Sequence, residues 1–265
     1  MRYSAFAASV AVVVFICVAP VRARAAADPC WQLELTDVAQ GSSAIPSPCT
    51  VAPGAFLLEG LYYQNASKVG GTALAAYPLL QVQAGIFHRV DLVVDAPSQI
   101  AESGLAGAGL YPRSHSSYGA RYLFAQSQRL ALATSFAVSP PASFYAPSES
   151  QAKYALALVS AYRLTPGLTL RAKSEVSTSH TVGVGHILPA NVLGADVAID
   201  RSTVISSDVG SRDVTARVGA QTFVDVDVKR MLARKLMFDV GVGTSFNAVA
   251  SSKAHYLAGG LSFRP

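Results

Sequence analysis

Residues 213–228 read DVTARVGAQTFVDVDV, and this stretch decides the fold class of the chain. Its even positions, from Val214 to Val228, are apolar apart from one threonine, whereas its odd positions include Asp213, Arg217, Asp225 and Asp227. A helix would mix the two sets on every face, but a strand of period two keeps them on opposite faces. The stretch is therefore predicted to be a β-strand whose faces lie in two different environments.

The same alternation continues in neighbouring segments. In 235–246 an apolar series (Leu236, Phe238, Val240, Val242, Phe246) opposes Asp239, Gly241, Gly243 and Ser245, and 168–178 repeats the pattern. Strands of globular proteins usually have about 5–6 residues, whereas a strand that crosses a bilayer needs about 9–11. The length of these segments therefore indicates transmembrane strands.

Extending the pattern over the chain predicts an all-β fold, a transmembrane antiparallel up-and-down β-barrel of about 12 strands in 53–265. The segment 180–210 is interrupted by glycines, so ten or fourteen strands remain open. The expected strands are 53–64, 73–86, 89–97, 115–125, 129–138, 151–163, 168–178, 190–199, 202–208, 213–228, 235–246 and 253–263.

Connection lengths agree with this arrangement. Long and short connections alternate in outer-membrane barrels, with the short turns in the periplasm. We expect outside loops at 65–72, 98–114, 139–150 and 179–189, and periplasmic turns at 87–88, 126–128, 164–167 and 200–201. The later links 209–212 and 229–234 do not show the contrast.

Residues 1–27 have the features of a secretory signal peptide. Arg2 precedes an apolar stretch from Ala5 to Ala19, and small residues precede possible cleavage after Ala25 or Ala27. The precursor carries 21 basic and 16 acidic residues, a net charge of +5 that would suggest a nucleic-acid partner. Removal of the signal removes three arginines and no acid, so the mature charge is +2. We expect no nucleic-acid partner.

Residues 28–52 are predicted to form an N-terminal periplasmic segment with little periodicity. An exported chain with a matched cysteine pair favours a Cys30–Cys49 disulfide, although two unpaired thiols remain open. The segment could instead fold into the lumen as a plug, and nothing in the sequence decides between these positions.

Four stretches resemble a known group of proteins. They are PGAFLLEG (53–60), AGIFHRVDLVVDAP (84–97), YGARYLF (118–124) and LTPGLTL (164–170). Together they are similar to the outer-membrane barrels of the phenol-degradation meta-pathway transporter family. The resemblance implies passage of aromatic or other hydrophobic compounds and carries over no site residues. A strand that closes near Phe263 also resembles the assembly signal of outer-membrane proteins.

The polar strand faces should line the barrel lumen, either as a channel lining or as an ion-pair network that closes it. Acids and bases look balanced, and no cofactor or metal spacing is present. The expected lumen residues are Glu59, Asp91, Asp95, Arg121, Lys153, Arg163, Arg171, Lys173, Glu175, Asp213, Arg217, Asp225 and Asp239.

The pattern predicts a non-enzymatic bacterial outer-membrane channel for small, hydrophobic or aromatic compounds. Its expected partners are outer-membrane lipid, the solute and the barrel assembly machinery. One alternative is a plugged structural or adhesive barrel that acts through loop 98–114. A second is a lipid-modifying barrel enzyme with His115 as base and Ser117 as nucleophile, although no orienting Asn or Asp is visible on the following strand.

Overall fold

The chain forms a closed antiparallel β-barrel of 12 strands in the computed structural model. The structure describes residues 35–67, 73–96, 99–103, 109–112, 116–141, 151–181, 184–213, 220–247 and 252–265. Within these residues, no helix is long and apolar enough to cross a bilayer. The predicted fold class is thus confirmed, while the predicted signal peptide lies outside the described residues.

Among the described residues, one short helix precedes the strands, which are numbered in chain order. The helix α1 spans Leu35–Val38. The strands are β1 Phe56–Ser67, β2 Ala73–Phe87, β3 Val90–Asp95, β4 Gln99–Ser103, β5 Gly109–Pro112, β6 Ser117–Gln126, β7 Leu130–Ser139, β8 Lys153–Thr165, β9 Leu168–Thr181, β10 Val184–Ala198, β11 Thr203–Asp213, β12 Ala220–Ala233, β13 Leu236–Asn247 and β14 Ser252–Phe263.

Fourteen strand segments make twelve strands of the wall because two of those strands are interrupted. Both β3 and β4 pair with β2, which extends beyond β3 along the barrel. Likewise β5 pairs with β4 while β6 pairs with β3. Pairing of β1 with both β2 and β14 closes the sheet into a barrel, which pairs the first and last strands of the wall.

Four connections differ from the sequence prediction, and one of them is the link 229–234, of which residues 229–233 belong to β12. The expected loop 98–114 contains β4 and β5, and the expected loop 179–189 is occupied by the ends of β9 and β10. The link 209–212 is part of β11, and β12 begins only at Ala220. The hydrogen-bonded ladders continue beyond the stretch where hydropathy alternates, because backbone pairing does not depend on which side chains face lipid.

The two faces of the wall follow the predicted parity. Along β12, Phe223, Asp225 and Asp227 are buried inside the barrel, whereas Val224 and Val226 are exposed on its outer surface. A band of exposed apolar side chains surrounds the barrel, as expected for a wall in contact with lipid.

Two outward residues of equal exposure provide a test of this orientation. Val242 lies at the middle of β13 and Leu232 lies beside the turn 234–235, and each is 57% exposed. We expect Val242→Arg to lower the free energy of unfolding by about 2–4 kcal/mol and Leu232→Arg by about 0–1 kcal/mol, because the bilayer midplane is less polar than its interface. Equilibrium urea unfolding in phospholipid vesicles measures both. Equal losses would contradict a membrane-spanning β13.

Candidate functional site

The barrel lumen contains the N-terminal segment of the chain. Residues 35–52, here called the N-terminal plug, lie inside the barrel and are largely buried. Gly41 takes a φ of 59°, and Pro46 and Pro48 provide no backbone donor, so regular structure is limited to α1. The remaining buried backbone groups of the plug therefore need partners on the barrel wall.

Acidic side chains of the wall bind plug amides. Three carboxylates accept hydrogen bonds at 3.0 Å: Glu59 from the Gly41 amide, Asp208 from the Ala44 amide and Asp91 from the Val51 amide. These carboxylates stand on β1, β11 and β3, so they hold the plug from well-separated parts of the wall. Ser43 adds a 2.8 Å hydrogen bond from its hydroxyl to Asp208.

Basic side chains of the wall bind plug carbonyls. The donors and acceptors are Arg121 to Ser47 at 2.8 Å, Arg171 to Ile45 at 2.9 Å and Lys229 to Ala39 at 3.2 Å. Hydrogen bonds that involve a charged group are about twice as strong as neutral ones. Charged side chains of the wall thus bind both backbone amides and backbone carbonyls of the plug.

Apolar contacts complete the enclosure of the plug. Ile45 packs against Val159, Val192 and Phe223 near the tip of the plug. The other two clusters place Leu35, Val38, Ala39 and Val51 with Leu57 and Met237, and Cys49 with Leu123, Ala131 and Ala133. The early and late parts of the plug also contact each other, because the Ser47 hydroxyl donates to the Asp37 carbonyl at 2.5 Å.

The position of residues 35–52 corrects one sequence expectation. The sequence predicts a periplasmic segment at 28–52 and leaves a plug in the lumen open as the alternative; the described part lies in the lumen, where the wall charges offer partners for its backbone. Cys30 lies outside the described residues, so the Cys30–Cys49 disulfide stays a prediction.

The structure places twelve of the thirteen expected lumen residues, in three environments. Glu59, Asp91, Arg121, Arg171, Asp225 and Asp239 are buried inside the barrel. Asp95, Lys153, Lys173, Glu175 and Asp213 are half-buried, and Lys173 pairs with Glu175 at 2.7 Å. Arg163 is exposed at the end of β8, where the wall reaches solvent, and Arg217 lies outside the described residues.

Three buried charges were absent from that set. Asp227 and Lys229 share the odd parity of Asp225 on β12, so the strand pattern could have found them. Asp208 stands on β11, where the sequence pattern was weakest. The described buried residues include six acids and only three bases, so the expected charge balance does not hold inside the barrel. The acids are Glu59, Asp91, Asp208, Asp225, Asp227 and Asp239, and the bases are Arg121, Arg171 and Lys229.

Basic residues instead gather at the end of the barrel that carries the short turns. They are Arg89, Arg129, Arg163, Arg201, Arg230, Arg234, Lys235 and Arg264. Among the acids at this end is Asp200, where hydrogen bonds from the Ser202 hydroxyl and amide lower the pKa of the carboxyl group.

The proposed lipase pair is only partly described. Ser117 lies opposite Asp95 in the β3–β6 ladder, and its hydroxyl donates a hydrogen bond to that carboxylate. His115 lies outside the described residues. The Ser117 hydroxyl thus has an acidic acceptor on the inner face of the barrel rather than a position on the lipid-facing surface.

Gly85 marks the point where the plug joins the wall. The Gly54 amide donates to the Gly85 carbonyl at 2.8 Å, and a Cβ at Gly85 would fall against the carbonyl oxygens of Val51 and Ala52. We expect Gly85→Ala to lower the free energy of unfolding by about 1–3 kcal/mol, because the backbone must shift to admit the methyl group. Urea unfolding measures the loss.

Gly167→Ala is the matched control for this substitution. The nearest atom to a Cβ at Gly167 is 3.7 Å away, which is an ordinary contact distance. Equal stability of the two variants would contradict the close approach of the plug to β2.

Comparison with known proteins supports the architecture. The chain is similar to the COG4313 outer membrane channel from Pseudomonas putida F1, with a TM-score of 0.63, 13% identity, and coverage of 82% of this chain and 97% of that chain. It is also similar to the NanC porin, with a TM-score of 0.53, 8% identity and coverage of 77% and 98%. For the KdgM porin in complex with disordered oligogalacturonate, the TM-score is 0.51, the identity 9% and the coverage again 77% and 98%.

These similarities define a class rather than a particular protein. The chain has the fold of outer-membrane β-barrel channels, and identities this low show the fold alone. No protein-family model and no curated protein matches the sequence. Membership of the phenol-degradation transporter family therefore stays a prediction.

Proposed function

We propose that the protein is a bacterial outer-membrane channel for small solutes whose lumen is closed by the N-terminal plug. The observation that carries the proposal is the way residues 35–52 are held. They bind the wall through side chains such as Arg121, Arg171 and Asp91, and the described part of the plug adds no strand to the barrel sheet. A segment held in this way can leave the lumen while the wall stays closed to lipid.

The charge of the interior favours neutral over anionic solutes. Six described buried acids face three buried bases, so an anion would meet a repulsive lumen once the plug moves. The resemblance to aromatic-compound transporters suggests phenol-sized aromatic molecules. We therefore propose neutral aromatic compounds as the solute class and expect aromatic carboxylates to pass less readily.

A variant in which a disulfide fixes the plug to the wall, here called the locked variant, tests the channel directly. Ile45 on the plug and Val192 on β10 belong to one buried cluster, so the double variant Ile45→Cys with Val192→Cys is designed to join the plug to the wall through a disulfide. Because phenol also crosses bare lipid, each flux is taken as the excess over empty liposomes, and by this measure the wild-type protein should pass phenol faster than benzoate. The oxidised double variant should pass neither, and reduction should restore flux. Empty liposomes and each single cysteine variant are the controls.

Two outcomes would contradict the channel. The first is that wild-type liposomes retain phenol as long as empty ones, and the second is that the locked variant passes phenol as fast as the wild type. The first outcome would instead favour the structural barrel, for which the filled lumen is the supporting observation. In that case, replacement of 98–114, which contains β4 and β5, should abolish binding to a partner or surface.

A further inference from the structure

Three carboxylates meet on the inner face of the wall. Asp208 and Asp225 are directly opposite in the β11–β12 ladder, and Asp227 follows Asp225 on the same face. One carboxylate oxygen from each residue lies within 4.8 Å of those from the other two. All three side chains are buried. This arrangement concentrates negative charge where water cannot screen it.

The hydrogen bonds of the three carboxylates leave part of the cluster unsatisfied. Asp208 accepts from Arg171, Ser43 and Ala44, and one oxygen of Asp225 accepts from the Tyr256 hydroxyl at 2.6 Å. The other oxygen of Asp225 and both oxygens of Asp227 have no hydrogen-bond partner among the described residues. Asp227 is 1% exposed, so solvent cannot supply the missing partners.

Ser206, which lies outside the acidic cluster, provides a second observation at this position. Ser206 is directly opposite Asp227 in the β11–β12 ladder and stands on the inner face with Asp208. Its hydroxyl is 0% exposed and also has no hydrogen-bond partner among the described residues. Directly opposed residues bring their side chains within about 5 Å of each other. An unpartnered oxygen thus lies beside the unpartnered carboxylate.

The nearby bases do not neutralise the cluster. Arg171 is shared between Asp196 at 2.9 Å and Asp208 at 3.1 Å. Lys229 donates to the Ala39 carbonyl of the plug and forms no ion pair within 4.0 Å of Asp227 in the described part of the chain. Buried charges in proteins are normally paired or coordinate metal ions. The three carboxylates therefore keep an excess of negative charge, because the guanidinium of Arg171 forms an ion pair with only one of them.

We infer that Asp208, Asp225, Asp227 and Ser206 bind a hard divalent cation of the Ca²⁺ or Mg²⁺ type. Carboxylate and hydroxyl oxygens are the ligands of such ions, and the cluster offers neither the sulfur nor the imidazole nitrogen that zinc prefers. The cation would satisfy the free oxygens of Asp225 and Asp227 and offset the acidic excess of the interior. This site goes beyond the proposed transport function and does not depend on it.

The test measures binding of the metal alone to the full-length protein. Purified protein is treated with EDTA, dialysed, and titrated calorimetrically with CaCl₂ and separately with MgCl₂, while NaCl at matched ionic strength is the control. We expect one saturable site for a divalent cation and a rise in the thermal unfolding midpoint that NaCl does not reproduce. Asp227→Asn should weaken the affinity about tenfold or more, because it removes a charged ligand.

Glu175→Gln is the matched control variant. Glu175 is an inward, half-buried acid that pairs with Lys173 on β9, away from the cluster. It should bind the cation like the wild type. Heat-modifiable migration on SDS gels confirms that every variant is folded. The inference is overturned if the folded wild type binds no divalent cation, if NaCl stabilises it equally, or if folded Asp227→Asn binds as tightly as the wild type.

Discussion

A precursor that lacks residues 28–50 is expected to fold into a barrel with a conductance about tenfold or more above that of the wild type. A 12-strand lumen lies between the filled interior of small barrels and the open channel of large porins, so its contents decide whether ions pass. In the intact chain those contents include Ile45, which packs between β8, β10 and β12. Single-channel recording in planar bilayers measures the change.

The deletion also exposes wall charges that the plug satisfied. Arg121 loses the Ser47 carbonyl, Glu59 loses the Gly41 amide, and both regain water once the lumen opens. The folded barrel should therefore survive with reduced stability, which heat-modifiable migration and circular dichroism can establish. A folded deletion variant with unchanged conductance would show that the plug does not close the lumen.

The alternation of apolar and polar residues was sufficient to predict the strands of the barrel wall. Alternation in 220–228 and 236–246 identified both the strands and the face of each that turns inward, because lipid requires apolar side chains on the outside. The ends of the strands were less predictable. Residues 99–103 and 184–189 are paired through their backbones, and the lipid constraint that produces a clean alternation does not reach them.

The contents of the lumen could not be predicted from the pattern. The plug binds Arg121 and Arg171 through carbonyl oxygens that every residue possesses, so its sequence carries no periodic signal. The sequence pattern predicted only some of the buried charges. Parity placed Asp225 and Asp227 on the inner face, but parity does not show that Asp208 lies opposite Asp225, which depends on the register of β11.

Arg171→Met is expected to lower the free energy of unfolding by about 3–5 kcal/mol, the typical effect of removing one partner of a buried ion pair. Arg171 contacts Asp196 and Asp208 and also donates to the Ile45 carbonyl. Its loss leaves the Asp208 carboxylate without its guanidinium partner, in an interior whose described buried residues already have an acidic excess. Urea unfolding of the reconstituted protein measures the effect.

Arg163→Met on the same hairpin provides the matched control, because that guanidinium is exposed at the end of β8 and should contribute no more than about 1 kcal/mol. Adding Asp208→Asn to Arg171→Met should recover part of the stability, since the unpaired negative charge is then removed. Recovery would identify burial of that charge as the cause, whereas a loss in Arg171→Met no larger than in Arg163→Met would contradict it. Methionine keeps most of the apolar length of the arginine stem, so the loss of stability in Arg171→Met reports the missing charge rather than missing packing.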